Sequence, residues 1–286
     1  MNNDVLSVIS AATGGFSKGQ RRIANYILNN YDKAAFMTAG KLGVTVGVSE
    51  STVVRFASEL GYDGYPAMKK ALQDMIKNRL TSVQRIEVAK NIGFGSEILT
   101  SVLSSDMDKI RTTLDEMKKS DFYSAVDTIV RADHIYILGL RSSAALASFM
   151  GFYLNLLMPN VLVVNESSAN AIFEQILRVS EGDVFIGISF PRYSLMTIKA
   201  MQFAHDQGAH VISITDTESS LIAQVSDIKL YAKSDMVSFL DSLVAPLSLI
   251  NALIVAVANR DGTLKDDFER LEKLWSEYEV YGKTEH

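Results

Sequence analysis

Five short apolar runs alternate with helical segments over the second half of the chain, and this alternation constrains the fold more than any other feature. The runs lie at 134–140, 160–164, 183–189, 210–215 and 228–232. Helical patterns separate them, and two more, near 243–259 and 265–281, complete the chain. Apolar strands separated by helices are typical of a parallel sheet that is covered on both faces. We therefore predict an α/β unit built on a five-stranded parallel sheet.

The first eighty residues show helical patterns without strand-like runs. The segment Ser17-Lys18-Gly19-Gln20 has the form of a capping box, and the apolar spacing that follows it predicts a helix over 17–29. Thr38 is expected to cap a short second helix. Gly43 and Gly47 are expected to end that helix, because glycine disfavours the helix interior and tolerates the turn that follows.

The next stretch, "VGVSESTVVRFASELGYDGY", covers residues 46–65 and predicts another helix, capped by Ser49 and closed by Gly61. A further helix is predicted over 65–80. Two helices joined by a tight glycine turn form a helix-turn-helix, whose second helix enters the major groove of DNA by its N-terminal end. Short hydroxyls and a guanidinium at that end can contact phosphates and base edges. The predicted DNA-contacting residues are Ser49, Ser51, Thr52 and Arg55. The alternative is that Ser49 and Thr52 only cap the helix.

The charge is uneven along the chain. Residues 1–80 hold ten Lys and Arg against six Asp and Glu, a balance of +4, whereas the whole chain carries −5 and the remainder therefore −9. A basic N-terminal region followed by an acidic remainder favours a polyanion-binding module joined to a domain with a second function. Ordinary scatter of surface charge is the alternative explanation.

Several classes of protein are disfavoured by composition. The chain has no cysteine, which excludes disulfides, a thiolate nucleophile and a zinc–thiolate site. Its start, Met1-Asn2-Asn3-Asp4, lacks the basic flank and apolar run of a signal peptide. No uninterrupted apolar run approaches the ~20 residues of a membrane span. We expect a cytoplasmic protein that does not associate with membranes and has neither a metal nor a cofactor.

Hydroxyl-rich loops follow two of the predicted strands, where α/β sheets bind ligands. Gly139-Leu140-Arg141-Ser142-Ser143 follows the first strand, and Ser189-Phe190-Pro191-Arg192-Tyr193-Ser194 follows the third. Hydroxyls, free helix amides and a guanidinium suit a phosphate ester. Neither the dinucleotide-binding fingerprint nor the P-loop pattern is present, which disfavours those classes. The predicted ligand-binding residues are Arg141, Ser142, Ser143, Ser189, Arg192 and Ser194. The alternative is that the serines are ordinary helix caps.

The sequence resembles the RpiR/MurR-type bacterial transcriptional regulators. The head carries the resemblance in "FSKGQRRIANYILNNY" and "GVSESTVVRFASELGYDGY", and the sheet region in "IYILGLRSSAALA", "DVFIGISFPRYS" and "GAHVISITD". Such proteins join a helix-turn-helix domain to a SIS (sugar isomerase) domain that binds phosphosugars. The resemblance implies a DNA-binding domain over 1–80, a helical connector over 81–120 and a SIS domain over 121–286. Its implied partners are double-stranded operator DNA and a small anionic sugar derivative.

Two departures from the family pattern bear on the site. Gly43 stands where the family usually has alanine, and is expected to loosen the second helix by ~1 kcal/mol. Many SIS domains read Ser-x-Ser-Gly-x-Thr in the loop that here reads "SFPRYS", so Pro191 and Arg192 replace a serine and a glycine. Arg192 can supply the lost phosphate contact, or the pocket can prefer another anion such as a carboxylate. The competing interpretation makes Arg192 a surface residue, or a salt-bridge partner of Asp216 or Glu166.

The alternative function is that of a SIS-type sugar-phosphate isomerase, which would need a base beside the sugar carbons. His134, His205 and His210 fall at the wrong ends of the predicted strands, and no motif positions Glu166 or Glu174 against a substrate. We therefore predict a regulator and not an enzyme. The apolar helix near 243–259 and the apolar stripe over 98–117 predict a homodimer or a dimer of dimers.

Overall fold

The computed structural model describes residues 5–77, 83, 86, 97–164, 168–235, 240–260 and 264–280. Much of the predicted connector, and the C-terminal His286, therefore lie outside the described residues. The chain divides into two compact units, the first made of residues 1–105 with 236–241 and the second of 106–235 with 242–286.

The first unit is helical, as predicted. Its helices are α1 (Val5–Ala12), α2 (Lys18–Asn29), α3 (Tyr31–Ala34), α4 (Ala39–Val46), α5 (Glu50–Glu59) and α6 (Gly64–Lys77). The capping box is confirmed, because the Ser17 N–H donates to Gln20 Oε1 at 2.8 Å and the Gln20 N–H donates to Ser17 Oγ at 3.4 Å. Helices α1 and α3 were not predicted from the sequence, although Val5 and Ile9 of α1 are core residues.

The core of the first unit forms where the apolar faces of these helices meet. Ile23, Ile27, Leu42 and Phe56 are fully buried in it. Tyr65 at the start of α6 is 4% exposed, and its hydroxyl donates to the Met37 carbonyl oxygen at 3.1 Å. Burial disfavours the charged phenolate and raises the pKa of Tyr65 to about 12.

The prediction that Gly43 ends α4 is wrong, because Gly43 lies within the helix. The physical reason is the close approach of the chain that follows. A Cβ atom at position 43 would lie 2.8 Å from the Val48 carbonyl oxygen. Gly43 therefore permits the tight turn that brings Val48 back onto α4, and it is Gly47, with φ of +71°, that ends the helix as predicted.

The second unit contains the predicted five-stranded parallel sheet. Its strands are β1 (Ile135–Gly139), β2 (Val161–Val163), β3 (Val184–Ile188), β4 (His210–Thr215) and β5 (Ile228–Tyr231). They are arranged in the order β2-β1-β3-β4-β5, and all neighbours are parallel. The remaining helices are α7 (Ile98–Glu116), which begins in the first unit, α8 (Lys119–Val130), α9 (Ser143–Leu157), α10 (Ala169–Gln175), α11 (Leu195–Asp206), α12 (Val244–Ala258) and α13 (Leu264–Glu277).

Helices cover both faces of this sheet. One face carries Ile135 and Ile137 of β1, which belong to a core shared with α8, α9 and α12. The other face carries Tyr136 and Leu138, which belong to a core shared with α10 and α11. Every residue of β1 and of β3 is buried, as continuous apolar runs in a doubly covered sheet require. Within the described residues, no helix combines the length and apolar character needed to cross a bilayer.

Candidate functional site

The first candidate surface is the start of α5, the second helix of the helix-turn-helix. The turn between α4 and α5 is closed by the Val48 N–H, which donates to the Gly43 carbonyl oxygen at 2.9 Å. Ser49 then caps α5, since its side chain accepts from the Thr52 N–H at 3.3 Å. Val53, Phe56 and Ala57 fix the opposite side of α5 in the core, so the first turn of α5 is presented outward.

The predicted hydroxyls come together at this helix start. Ser49 Oγ lies 2.9 Å from Ser51 Oγ and 2.8 Å from Thr52 Oγ1, so the three side chains form one hydrogen-bonded cluster. Ser49 and Ser51 are exposed, Thr52 is half-buried and Arg55 is exposed one turn further on. Ser49 therefore acts as the cap while its hydroxyl also belongs to an exposed polar surface. The free N–H groups of the first helical turn give this end a partial positive charge that favours phosphate.

Arg22 of α2 belongs to the same surface but was missed by the sequence analysis. One terminal nitrogen of its guanidinium, Nη1, donates to the Gly47 carbonyl oxygen at 3.4 Å, so its positive charge lies at the turn that precedes α5. The two residues are 25 positions apart in the chain. Only the packing of α2 against the turn brings them together. A signal was available in the pair Arg21-Arg22, which the helical periodicity places outside the core.

The second candidate surface is the carboxyl edge of the sheet, where β1 and β3 are neighbours. Gly139, the last residue of β1, pairs in register with Ile188 of β3, so the two predicted loops leave the sheet at the same level. A Cβ atom at Gly139 would lie 2.4 Å from the Ser143 carbonyl oxygen. Glycine thus lets α9 start directly over the strand end, as expected for a short loop that presents helix amides to a ligand.

The β1 loop presents its polar groups unequally. Arg141 and Ser142 are exposed, whereas Ser143 is buried in the first turn of α9. Ser142 stands at the N-cap of α9, but its side chain makes no capping hydrogen bond. The interpretation that Ser142 is an ordinary helix cap therefore does not hold. Arg141 adopts a φ of +58°, in the left-handed region that side-chain-bearing residues rarely occupy.

The β3 loop is held by its own serines. Ser189 is 4% exposed, and its Oγ accepts from the Ser194 N–H at 3.2 Å. Ser194 caps α11 by accepting from the Thr197 N–H at 3.3 Å. Arg192 is exposed and has a φ of +69°. The loop therefore keeps, at the position where many SIS domains have glycine, a backbone conformation that suits glycine, although the residue is arginine.

A hydrogen bond joins the β3 loop to the loop after β4. The Tyr193 hydroxyl donates to Asp216 Oδ1 at 2.7 Å, and Thr215 Oγ1 donates to the same oxygen at 3.3 Å. Asp216 is 7% exposed, so its charge is largely buried and depends on such donors. Tyr193 fixes the loop on one side of Arg192, a role that was not predicted from the sequence. Glu166, the other carboxylate considered for Arg192, lies outside the described residues.

The histidines of the described residues lie at the opposite, amino-terminal edge of the sheet, as predicted. His134 precedes β1, and its Nδ1 lies 2.8 Å from Asp183 Oδ1. His205 lies in the last turn of α11, and its Nε2 lies 3.6 Å from Asp227 Oδ1. His210 is the first residue of β4. These imidazoles are therefore not positioned to act as a base at the carboxyl edge.

The fold and the two surfaces define a class of protein in which a helix-turn-helix unit is followed by a doubly covered parallel α/β unit. Comparison with protein families identifies both parts. Residues 3–79 match the model described as "Helix-turn-helix domain, rpiR family", and residues 128–256 match that of the SIS domain. Together these matches cover most of the chain. The chain belongs to the rpiR family of helix-turn-helix transcriptional regulators that carry a SIS domain.

Relatives agree with this assignment. The HTH-type transcriptional regulator HexR of Escherichia coli is 25% identical over 285 residues, which are 96% of this chain and 95% of HexR. The solved sugar isomerase domain of an RpiR transcription factor from Sphaerobacter thermophilus is 26% identical, with a TM-score of 0.60, and the match covers 62% of this chain and 99% of that one. The NanR protein of Vibrio vulnificus, solved in complex with ManNAc-6P, is 20% identical and matches in fold with a TM-score of 0.60 over 98% of this chain and 100% of that one. The named curated relatives are regulators and not enzymes.

Proposed function

We propose that this regulator reads double-stranded operator DNA with the start of α5, and that the carboxyl edge of its SIS sheet binds a small phosphosugar or related anionic sugar derivative. The observation that carries the first part is the exposed cluster of Ser49, Ser51 and Thr52, with Arg55 one turn on, at the start of the second helix of a helix-turn-helix. In that arrangement, the N-terminal residues of the second helix contact base edges. Arg22, held at the preceding turn, adds a positive charge suited to a phosphate.

The effector proposal rests on the two loops at neighbouring strand ends. Arg141 with Ser142 and Ser143, and Arg192 with Ser189 and Ser194, combine guanidinium groups, hydroxyls and helix amides. These are the donors that bind a phosphate ester. The similarity of the fold to NanR complexed with ManNAc-6P supports a phosphosugar, and hexosamine and hexose phosphates are the first compounds to screen. Arg192 has the left-handed backbone that suits glycine, the residue that many SIS domains have at this position. Because the loop departs from the family pattern in this way, the screen also includes acidic sugars.

We further propose that the protein acts as a homodimer or a dimer of dimers on a pseudo-palindromic operator in the cytoplasm. One helix-turn-helix head reads a short half-site, and two heads related by a twofold axis read two half-sites. Two exposed apolar surfaces support assembly. The first comprises Leu103, Met107 and Leu114 of α7, and the second includes Phe152 of α9 and Val255 of α12, each more than half exposed.

The test of DNA reading compares two double variants of the full-length protein. Ser51→Ala with Arg55→Ala removes a hydroxyl and a guanidinium from the start of α5 without touching the core. Ser124→Ala with Arg131→Ala removes the same groups from exposed positions outside the helix-turn-helix. In a gel-shift titration at fixed salt, on genomic DNA selected by the wild-type protein, we expect the first variant to bind at least tenfold more weakly, since a good base contact is worth ~1–3 kcal/mol. The second variant is expected to bind like wild type. Equal binding by both variants would contradict the assignment of α5 as the reading helix.

A further inference from the structure

Helix α5 carries a large apolar side chain on its exposed face. Ser51, Arg55 and Ser58 lie along this face, and Val54, which is 39% exposed, lies among them. The preceding residue, Val53, is fully buried in the core. An exposed helix position disfavours valine, because the β-branched side chain loses rotamer freedom in a helix and gains little burial in return. The packing of the first unit therefore does not account for Val54.

The geometry of the helix places Val54 beside the residues that we propose to contact DNA. Val54 follows Ser51 by three positions and Arg55 follows it by four, so these two side chains flank the line that runs along the helix from Ser51. The core residues Val53 and Phe56 hold the opposite side of α5. A duplex that contacts the start of α5 through Ser51 and Arg55 therefore also meets Val54.

Two polar neighbours of Val54 are directed at the protein itself. The Ser58 hydroxyl donates to the Val54 carbonyl oxygen at 3.4 Å, within the same helix. The Glu50 carboxylate lies against α4, since its Oε2 is 3.2 Å from the position that a Cβ atom would take at Gly40. Beyond its hydroxyl cluster, the exposed face of α5 thus presents the guanidinium of Arg55 and, beside it, the two methyl groups of Val54.

The major groove of DNA offers one apolar group to such a side chain, the C5 methyl group of thymine. The other groups at the base edges are hydrogen-bond donors and acceptors, which valine cannot satisfy. We propose that Val54 is a specificity-determining residue that contacts the C5 methyl group of a thymine in the operator half-site. This inference rests on the proposed function, because it requires α5 in the major groove. It goes further by naming a base of the operator and the group on that base that is read.

Uracil is thymine without the C5 methyl group, so the exchange of one base for the other tests this contact alone. In the operator fragment that the wild-type protein selects from genomic DNA, each thymine of a half-site is replaced by uracil in turn. Fluorescence anisotropy at fixed salt measures binding of the full-length protein. We expect one thymine at which uracil weakens wild-type binding about fourfold, which corresponds to the ~0.8 kcal/mol of one buried methyl group. Val54→Ala should bind the thymine and uracil duplexes of that position equally.

Val44→Ala is the matched control, because it removes the same two methyl groups from α4, where Val44 is 84% exposed. It is expected to keep the fourfold difference at that thymine. Alanine favours the helix more than valine does, so both variants should fold, and circular dichroism verifies this. The proposal would be overturned if no thymine responded to uracil, if Val54→Ala responded like wild type, or if Val44→Ala also lost the response.

The same measurements separate this inference from the proposed function. If the wild-type protein binds its selected fragment and Ser51→Ala with Arg55→Ala weakens that binding, but the response to uracil is the same in Val54→Ala and wild type, α5 reads DNA and only the role of Val54 is wrong. A wild-type protein that retains no genomic fragment would overturn the proposed function and this inference together.

Discussion

Arg192 offers the sharpest test of the effector site, because its backbone and its side chain can be perturbed separately. Arg192→Ala removes the guanidinium and keeps a Cβ atom at a φ of +69°. Arg192→Gly removes the guanidinium and also relieves the left-handed backbone of its steric cost. If the side chain binds the anion, both variants lose affinity for the effector equally. If the left-handed loop backbone binds the anion, Arg192→Gly keeps its affinity for the effector and only Arg192→Ala loses affinity.

The magnitudes follow from the chemistry of the contact. A hydrogen bond to a charged group contributes about 1.5–3 kcal/mol, and about 1.4 kcal/mol corresponds to a tenfold change in affinity. We therefore expect each variant to bind the effector roughly tenfold to a hundredfold more weakly than wild type. Left-handed backbone costs a residue with a Cβ atom on the order of 1 kcal/mol. Arg192→Gly should accordingly unfold at a higher urea concentration than Arg192→Ala, by a difference of about 1 kcal/mol in the free energy of unfolding.

The assay is isothermal titration calorimetry with the compound that gives the largest thermal shift in a screen of sugar phosphates and acidic sugars. Arg131→Ala, which removes an exposed arginine at the other edge of the sheet, is the control for loss of positive charge. DNA binding without effector should stay unchanged in all three proteins. Wild-type affinity in Arg192→Ala would mean that another group holds the anion. Recovery of affinity in Arg192→Gly alone would assign binding to the loop backbone.

Two further predictions concern stability. Ser242→Ala removes the hydroxyl donor of the buried Asp106 carboxylate and is expected to lower the free energy of unfolding by about 1.5–3 kcal/mol in urea titrations; an unchanged midpoint and slope would contradict the described bond. Burial raises the pKa of Tyr65 to about 12 from the ordinary tyrosine value of about 10, so the folded state retains the phenolic proton to higher pH than the unfolded state does. The resulting stabilisation is full below pH 10 and is lost as pH rises toward 12, a change of about 2–3 kcal/mol. Tyr65→Phe should lack this alkaline component, and an identical pH profile for the two proteins would refute it.

Much of the architecture was predictable because its signals are local. The capping hydroxyls of Ser17 and Ser49 and the left-handed glycine at Gly47 each act within one turn of chain, and the structure has all three. The five strands were predicted from apolar runs that bury residues on both sides of the sheet. Helix α1 was missed, although its buried Val5 and Ile9 are four positions apart, the spacing of one helix face.

The remaining features depend on tertiary packing and leave no local signal. Glycine is required at position 43, inside α4, because the Val48 carbonyl oxygen packs closely against it. That oxygen approaches α4 only after the chain has turned. The bond from Tyr193 to Asp216 joins loops 23 positions apart, and the left-handed φ values of Arg141 and Arg192 follow from how strands and helices meet. Composition could nominate the serines of the two loops. It could not distinguish Ser194, which caps its helix, from Ser142, which does not.

The central claim is that one chain couples operator binding to an anionic sugar effector, and equilibrium DNA binding of the full-length wild-type protein tests it most directly. Fluorescence anisotropy would follow titration of a labelled, selected genomic fragment over a range of salt concentrations, with and without the best sugar phosphate from the thermal screen. We predict that the logarithm of the DNA affinity falls linearly with the logarithm of the salt concentration, since phosphate contacts release counterions. We also predict that saturating sugar phosphate changes the DNA affinity at fixed salt at least fivefold. That factor corresponds to ~1 kcal/mol, the lower end of the range of allosteric coupling energies. Failure to retain any genomic fragment, or DNA affinity that is identical with and without a sugar phosphate that demonstrably binds, would contradict the claim.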